Sequence, residues 1–427
     1  MEMDGGGTGS GNVKPPLPEP EPEDNDDGGL SVEDDDDGGS SAGDSDDGSS
    51  VDDDDGGDDS SWEDDDDDGS SWEEDDDYDA DVALLGPKLA RLLARCMEPP
   101  TEEEKVLQAL RVVREWQFTE YDPKSCGAVP TRFCNFNTAL FDFEKESMAG
   151  IGPPFRTLTS SEALSLEDTI NPVSVKILES DVGYPISIFG TILARDQVDY
   201  KCVYLFRRAR DDPQVITSLD DMLTLTGPYR GLAATSHLTI EINLKIKCED
   251  GNKDFSKGLI EHRSCNSAHA KDIVTRLLTS WMSTVQLVYT YVPSALEATV
   301  AINILNGPCD FFTGKVVAWT SGNDNHIILH DSQAAGMRTV IGEGGSVALS
   351  RCMVVVPVTE ELVLKIWVQG GDDEVACFEF TLSQTQDYDF ICEQGFCELQ
   401  VKVAWTSMVS TRRHNVFESV GRCWLVV

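Results

Sequence analysis

A chain of 427 residues with 78 acidic and 33 basic side chains has room for two or more domains and a sizeable core. Its formal charge of −45 is uneven: residues 1–81 hold 35 Asp/Glu against one lysine, Lys14, which leaves −11 for the remainder. Such a tail repels phosphates and is excluded as a nucleic-acid-binding segment, while the remainder has the balance of an ordinary globular protein.

Residues 1–81 are Asp, Gly, Ser and Pro with almost nothing apolar. They cannot offset about 1–2 kcal/mol of backbone entropy per ordered residue, so a disordered acidic tail is expected. Neighbouring carboxylates about 3.5 Å apart lie inside a Debye length of roughly 8 Å and stretch the chain. A short repeat, Ser60-Ser-Trp62-Glu and Ser70-Ser-Trp72-Glu, recurs within it. The plain reading is a solubilising tail. The functional one is an acidic–aromatic segment that keeps Trp62, Trp72 and Tyr78 solvated for a basic protein partner. Ser60, Ser61, Ser70 and Ser71 each precede an acid by three positions, a spacing that suits an acid-directed kinase.

Residues 82–122 read as helical. Leu84, Leu85, Leu89, Leu92 and Leu93 follow a helical period before Pro99-Pro100 stops them. Thr101 and Glu104 then form a capping box ahead of Val106, Leu107, Leu110, Val113 and Trp116, an apolar face expected to pack inward, the two helices meeting the β-region or each other.

From residue 123 the period changes to two. Ile240, Ile242, Leu244 and Ile246 alternate with Thr239, Glu241, Asn243, Lys245 and Lys247, and Leu399, Val401, Val403 and Trp405 repeat the pattern. The region also says the same thing twice. Val175-Lys-Ile177, Gly183, Pro185 and Ile188-Phe-Gly190-Thr-Ile-Leu-Ala194 are matched by Val300-Ala-Ile302, Gly307, Pro308 and Phe312-Thr-Gly314-Lys-Val-Val-Ala318. The offset is 125 residues at Val175, 124 at Gly190 and 120 at Leu244, which pairs with Leu364. The expected fold is mainly β: two related antiparallel β-sandwich-like modules, about 171–262 and 296–407, in one continuous domain 123–427, preceded by two short helices and the tail. A helix over His269–Trp281 is expected to join the modules.

No apolar h-region and no run of 18 apolar residues is present, so neither a secretory signal nor a membrane span is expected. Twelve cysteines then read as reduced thiols in a cytoplasmic or nuclear protein, with Cys202 and Cys352, both in apolar runs, as small core residues.

The residues assign no catalytic, cofactor or metal site. His326 and His330 are four apart on a strand, hence on one face about 13 Å apart, too far to share a zinc ion. The acidic turns Asp211-Asp212, Glu249-Asp250 and Asp372-Asp373-Glu374 lack the alternating oxygen pattern calcium requires. Arg207, Arg208 and Arg210 form the densest positive run, a candidate contact for an anion or for the tail, although Asp211 and Asp212 partly neutralise it. No phosphate-binding glycine loop opens a helix, and Gly342-Glu-Gly-Gly345 reads as a turn.

Val-Lys-Ile-x3-Asp-Val-Gly-Tyr-Pro-Ile (175–186), Phe-Gly-Thr-Ile-Leu-Ala-Arg-Asp (189–196), Lys-Cys-Val-Tyr-Leu-Phe-Arg-Arg (201–208), Leu-Thr-Gly-Pro-Tyr-Arg-Gly-Leu (225–232) and Ser-Lys-Gly (256–258) together resemble a plant family, found largely in grasses, the domain of unknown function numbered 6598. The resemblance runs from about Thr131 to Trp405. Some relatives look like fusions to ribosome-inactivating rRNA N-glycosidases, which implies a stress or defence setting. Those enzymes carry Ser-Glu-Ala-x-Arg; this chain has Ser161-Glu-Ala-Leu-Ser165, without the arginine, so the activity itself is not expected here. The expectation is a non-enzymatic binding or scaffold protein. An RNA- or ribosome-associated protein and a calcium- or lipid-binding β-sandwich are the alternatives.

Overall fold

The computed structural model describes residues 99–408, apart from 135–141, 150–151, 235–236, 249–250, 264–272, 309, 335–338 and 372–373. The acidic tail with Trp62, Trp72 and Tyr78, and the helix expected over 81–97, lie outside the described residues. Helix α1 (Glu102–Gln117) leads into a hairpin of β1 (Thr119–Asp122) and β2 (Gly127–Pro130), and the single turn α2 (Ser160–Ala163) precedes the β-modules.

The first module contains β3 (Thr169–Ser180), β4 (Ile186–Asp196), β5 (Val203–Arg208), β6 (Gln214–Ile216), β7 (Leu232–Ala233), β8 (His237–Cys248), β9 (Gly251–Arg263), β10 (Ile273–Ser280) and β11 (Ser283–Val292). The second contains β12 (Ala295–Asn306), β13 (Phe311–Phe312), β14 (Gly314–Thr320), β15 (Asn323–Asp331), β16 (Thr339–Val340), β17 (Met353–Pro357), β18 (Leu362–Gln369), β19 (Val375–Leu382), β20 (Tyr388–Gln394) and β21 (Cys397–Ser407). The sheets of the first run β10-β11-β3-β7 and β5-β4-β8-β9, with β6 beside β4. Those of the second run β20-β21-β12-β17 and β15-β14-β18-β19. The two orders are the same order. The duplication is therefore one of topology as well as of sequence.

Register sharpens the match. Ile192 faces Ile242 and Ala194 faces Ile240, while Val316 faces Ile366 and Ala318 faces Leu364. A single shift of 124 residues relates all four pairs, so the counterpart of Leu244 is Val368 and not Leu364. A slip of four keeps the inward face, which is why apolar alternation cannot detect it.

Each module buries its own core between its sheets. Ile177, Ile188, Ile192, Phe206, Ile242 and Tyr289 meet in the first; Ile302, Phe312, Val316, Leu364, Val401 and Trp405 meet in the second. At about 1.5–3 kcal/mol per buried aliphatic side chain, one strand recovers little more than its own ordering cost, so two facing sheets are required.

Five further expectations meet a different outcome. The joining helix over His269–Trp281 is replaced by β10, which pairs with β11 throughout Ile273–Ser280 around the two-residue turn Trp281-Met282. Its leucines suit either period, and ladder pairing with β11 decides. The apolar face of α1 does not meet either β-core, Val106 being 58% and Trp116 79% exposed, and the other expected partner, the helix over 81–97, lies outside the described residues. His326 and His330 do not share a face, because a bulge in β15 sets Leu329 and His330 against Val316 and turns the second histidine inward. Cys352 is exposed, its backbone carbonyl accepting from Val300 N while Arg351 and Met353 on either side point inward; Cys202 is buried as expected. Outward-reading Thr239 and Glu241 are buried, Glu241 beneath the segment before β3, whose Phe133 N donates to it.

Candidate functional site

The two modules meet along β3 of the first and β15 and β17 of the second. The Asn171 side chain substitutes for a strand there: its amide donates to Val355 O at 2.6 Å and its oxygen accepts from Val355 N at 3.0 Å. Asp168 closes the short link between β11 and β12, accepting from Tyr291 OH at 2.5 Å and Ser294 N at 2.9 Å. Glu297 accepts from Gly231 N at 2.6 Å and from Thr406 Oγ1 at 3.0 Å. A small apolar cluster of Val292, Ala295, Met353 and Val355 completes the seam.

Beside this seam lies a cleft of about 340 Å³, within the size range of small-ligand sites. Its apolar lining includes Val173, Leu223, Leu225 and Ile328, and its polar lining includes Asp220, Asp221 and Asp331. The loop 217–225 that forms one wall is held from within. Gln214 donates to Met222 O at 2.9 Å and accepts from Thr224 N at 2.8 Å. Asp221 accepts from Thr217 Oγ1 at 2.7 Å and from Thr217 N at 2.6 Å, and the Ser218 backbone and hydroxyl add to these. Those donors hold its carboxyl below the usual carboxylate range. Asp331 pairs with Lys315 at 2.9 Å. The cleft thus offers fixed negative charge over an apolar lining, suited to a cationic group on an apolar stem.

Other buried charges hold the segment before β3 onto the first module. Arg195 Nε donates to Glu241 Oε1 at 2.6 Å, and its remaining donors reach Tyr200 O and Phe143 O. Glu241 also accepts from Phe133 N at 2.8 Å. Arg230 pairs with Asp196 through two bonds of 2.6 and 2.9 Å, and Asp196 further accepts from Ala233 N. These residues, and Arg351 at the module seam, were not singled out by the sequence. The available signal was a charged pair, Arg195-Asp196, closing an otherwise apolar strand.

The arginine run divides. Arg207 and Arg208 are successive residues of β5 and leave opposite faces, with side chains 60% and 7% exposed. Arg207 lies over the Tyr204 ring at 4.4 Å and within 3.6 Å of Glu146. Arg208 takes both oxygens of Asp212 at 3.0 and 3.1 Å, and Arg210 donates to Asn252 at 2.8 Å. Glu162, within the glycosidase-like Ser161-Glu-Ala, caps α2 by accepting from Thr159 N at 2.8 Å. Of the acidic turns, Glu249-Asp250 and Asp372-Asp373 lie outside the described residues. Among the described residues no group of three or more His, Cys, Asp or Glu side chains is placed to hold a metal, and no helix is long and apolar enough to cross a membrane.

No curated protein matches this chain. Among solved structures it is distantly similar to a human GIVD cytosolic phospholipase A2, at 6% identity and a TM-score of 0.21, over 56% of this chain and 30% of that one. A structure of extended-synaptotagmin 2 comprising its SMP domain and its paired C2 domains matches at 9% identity and a TM-score of 0.21, over 57% of each chain. The paired C2 domains alone match at 8% identity and 0.20, over 62% of this chain and 96% of that one. The chain thus spans less than two thirds of the phospholipase and of the three-domain structure. A family model matches residues 169–403, both modules and more than half of the chain, beginning later than residue 131; the chain belongs to the family described as domain of unknown function DUF6598.

Proposed function

We propose that this chain is a non-enzymatic binding or scaffold protein whose junction cleft receives a basic segment of a protein partner. The observation that carries the reading is the cleft itself, with Asp220, Asp221 and Asp331 set beside Val173, Leu223 and Ile328. Asp221 is fixed by neutral donors before any ligand arrives, so a lysine or arginine entering the cleft meets charge that is already oriented, and at Asp331 it competes with Lys315. A cytoplasmic or nuclear setting and a role in stress or defence belong to this proposal.

The test uses a fluorescent peptide alternating lysine and leucine, titrated by anisotropy into the full chain. Asp220→Asn with Asp331→Asn is expected to weaken binding about tenfold or more, equivalent to roughly 1.4 kcal/mol. Equal affinity of the variant and the wild type would remove the cleft as the site.

A further inference from the structure

Arg351 carries a charge into the interior with too few partners. It is 3% exposed, donates from Nη1 to Pro172 O at 2.7 Å, and leaves Nε and Nη2 buried without a hydrogen-bond partner. The other two deeply buried arginines differ: Arg195 faces Glu241 and Arg230 faces Asp196, each at 2.6 Å. Among the described residues no carboxylate pairs with Arg351. Burial pushes its pKa down to about 10, opposed by Cys352, so the guanidinium still carries its charge at neutral pH. An uncompensated buried cation is strongly destabilising, whereas a planar fork with unused donors is matched to the oxygens of a carboxylate or phosphate.

The position of Arg351 says from where such a group would come. Its backbone nitrogen is fixed to Leu329 O at 3.0 Å and its side chain to Pro172 O. Each of these three residues is the chain neighbour of one that lines the junction cleft: Ser350 precedes Arg351, Ile328 precedes Leu329, and Val173 follows Pro172. Arg351 does not itself line the cleft; its backbone stands one position along the chain from the lining, and its guanidinium is held between a strand of the first module and a segment of the second.

We propose that Arg351 is the receptor of a small oxyanion, of the carboxylate or phosphate class, admitted through the junction cleft and held between the two modules. Of the aspartates at the cleft, Asp331 has its charge offset by Lys315, while Asp221 stays ionised through its bonds from Thr217 and Ser218 and opposes an entering anion. They slow an anion rather than exclude it. The site is separate from the basic-segment reading: Asp220 and Asp331 carry that one, and Arg351 carries this one.

The experiment compares melting of the full chain in sodium chloride, sodium acetate and sodium phosphate at matched ionic strength and pH, after equilibration for hours. Acetate or phosphate is expected to raise the wild-type Tm by at least about 2 °C over chloride at saturation. Arg351→Met, an apolar replacement of similar reach, is expected to melt above the wild type in chloride and to show no acetate or phosphate shift. Arg351→Lys, which keeps a charge without the fork, is expected to lose at least half of the shift. Isothermal titration of the wild type with the active anion supplies a reading that no variant can spoil, and one saturable site per chain is expected. The proposal is overturned if neither anion raises the wild-type Tm above chloride. It is equally overturned if Arg351→Met shifts as much as the wild type, or if titration of the wild type shows no saturation.

Discussion

At Glu241 a side chain that alternation assigns to solvent becomes the anchor of a buried network. Phe133 N, Arg195 and, at 3.6 Å, Arg132 all converge on its carboxylate. Removing one member of such a pair strands the other in the interior, which costs about 3–5 kcal/mol. Glu241→Gln retains one acceptor and is expected near the lower end, read as a reduced urea midpoint at unchanged slope. Histidine supplies a pH dependence. Burial lowers the pKa of His330, opposed by Asp331, and burial followed by the charge of Arg276 lowers that of His262. A group whose folded pKa lies below its unfolded value binds protons more readily when unfolded. Its stabilisation is therefore present above about pH 6.5 and is lost as pH falls below it. Thermal melts from pH 7.5 to 5 are expected to show this loss, and His330→Gln, which keeps polar atoms for Thr339 and Ser350, is expected to reduce it. A slope identical in the variant would remove His330 as a source.

At the scale of elements, glycine marks the shared unit. Gly190 in β4 has φ of +119°, and a Cβ there would stand 2.3 Å from Asn243 O of the neighbouring strand. At Gly314 in β14 a Cβ would stand 2.1 Å from Trp367 O. Both positions crowd the backbone of the strand paired beside them in the sheet, β8 and β18. Alanine at either is expected to destabilise by about 2 kcal/mol or more, through displaced backbone that cannot yield cheaply. Gly183→Ala, where a Cβ meets open space at φ of +74°, is expected to cost only about 1 kcal/mol. Calorimetry of the three variants checks the order, and equal losses would deny the close approach. The glycines and the alternation of β8 and β21 made the duplicated β-architecture legible in the sequence, because strand period and backbone approach are local properties. The face of His330, the state of residues 273–280 and the cleft itself were not. Each depends on a partner strand distant in sequence: the bulge in β15, the ladder with β11, and the juxtaposition of β3 with β15. Arg351 was hidden for the same reason, since nothing around it in the sequence says that Pro172 would be its acceptor.

For the whole molecule, the decisive contrast is between a segment of net charge −34 over residues 1–81 and the described residues, which hold two cores of their own. Removal of residues 1–81 deletes no member of either core and is expected to leave Tm within about 1 °C; a loss of several degrees would show that the tail docks. Anion binding is the sharper test, because the tail and the arginine run make opposed demands. At low salt the truncated chain is expected to bind heparin more tightly than the full chain, since a long polyanion is no longer repelled. Whether Arg207, Arg208 and Arg210 receive that heparin is a separate question, and their geometry argues against a shared site. Arg207 and Arg208 leave opposite faces of β5, Nη1 of Arg208 is already shared by the two oxygens of Asp212, and Arg210 is engaged by Asn252. Exposed pairs of this kind net roughly 0–1 kcal/mol each, too little for one to draw the tail down, and three that diverge do not sum as a patch. Replacement of all three arginines by glutamine in the truncated chain is therefore expected to leave most of the gained heparin affinity in place. Loss of that gain in the triple variant would instead make the arginine run the anion site and the tail its mask.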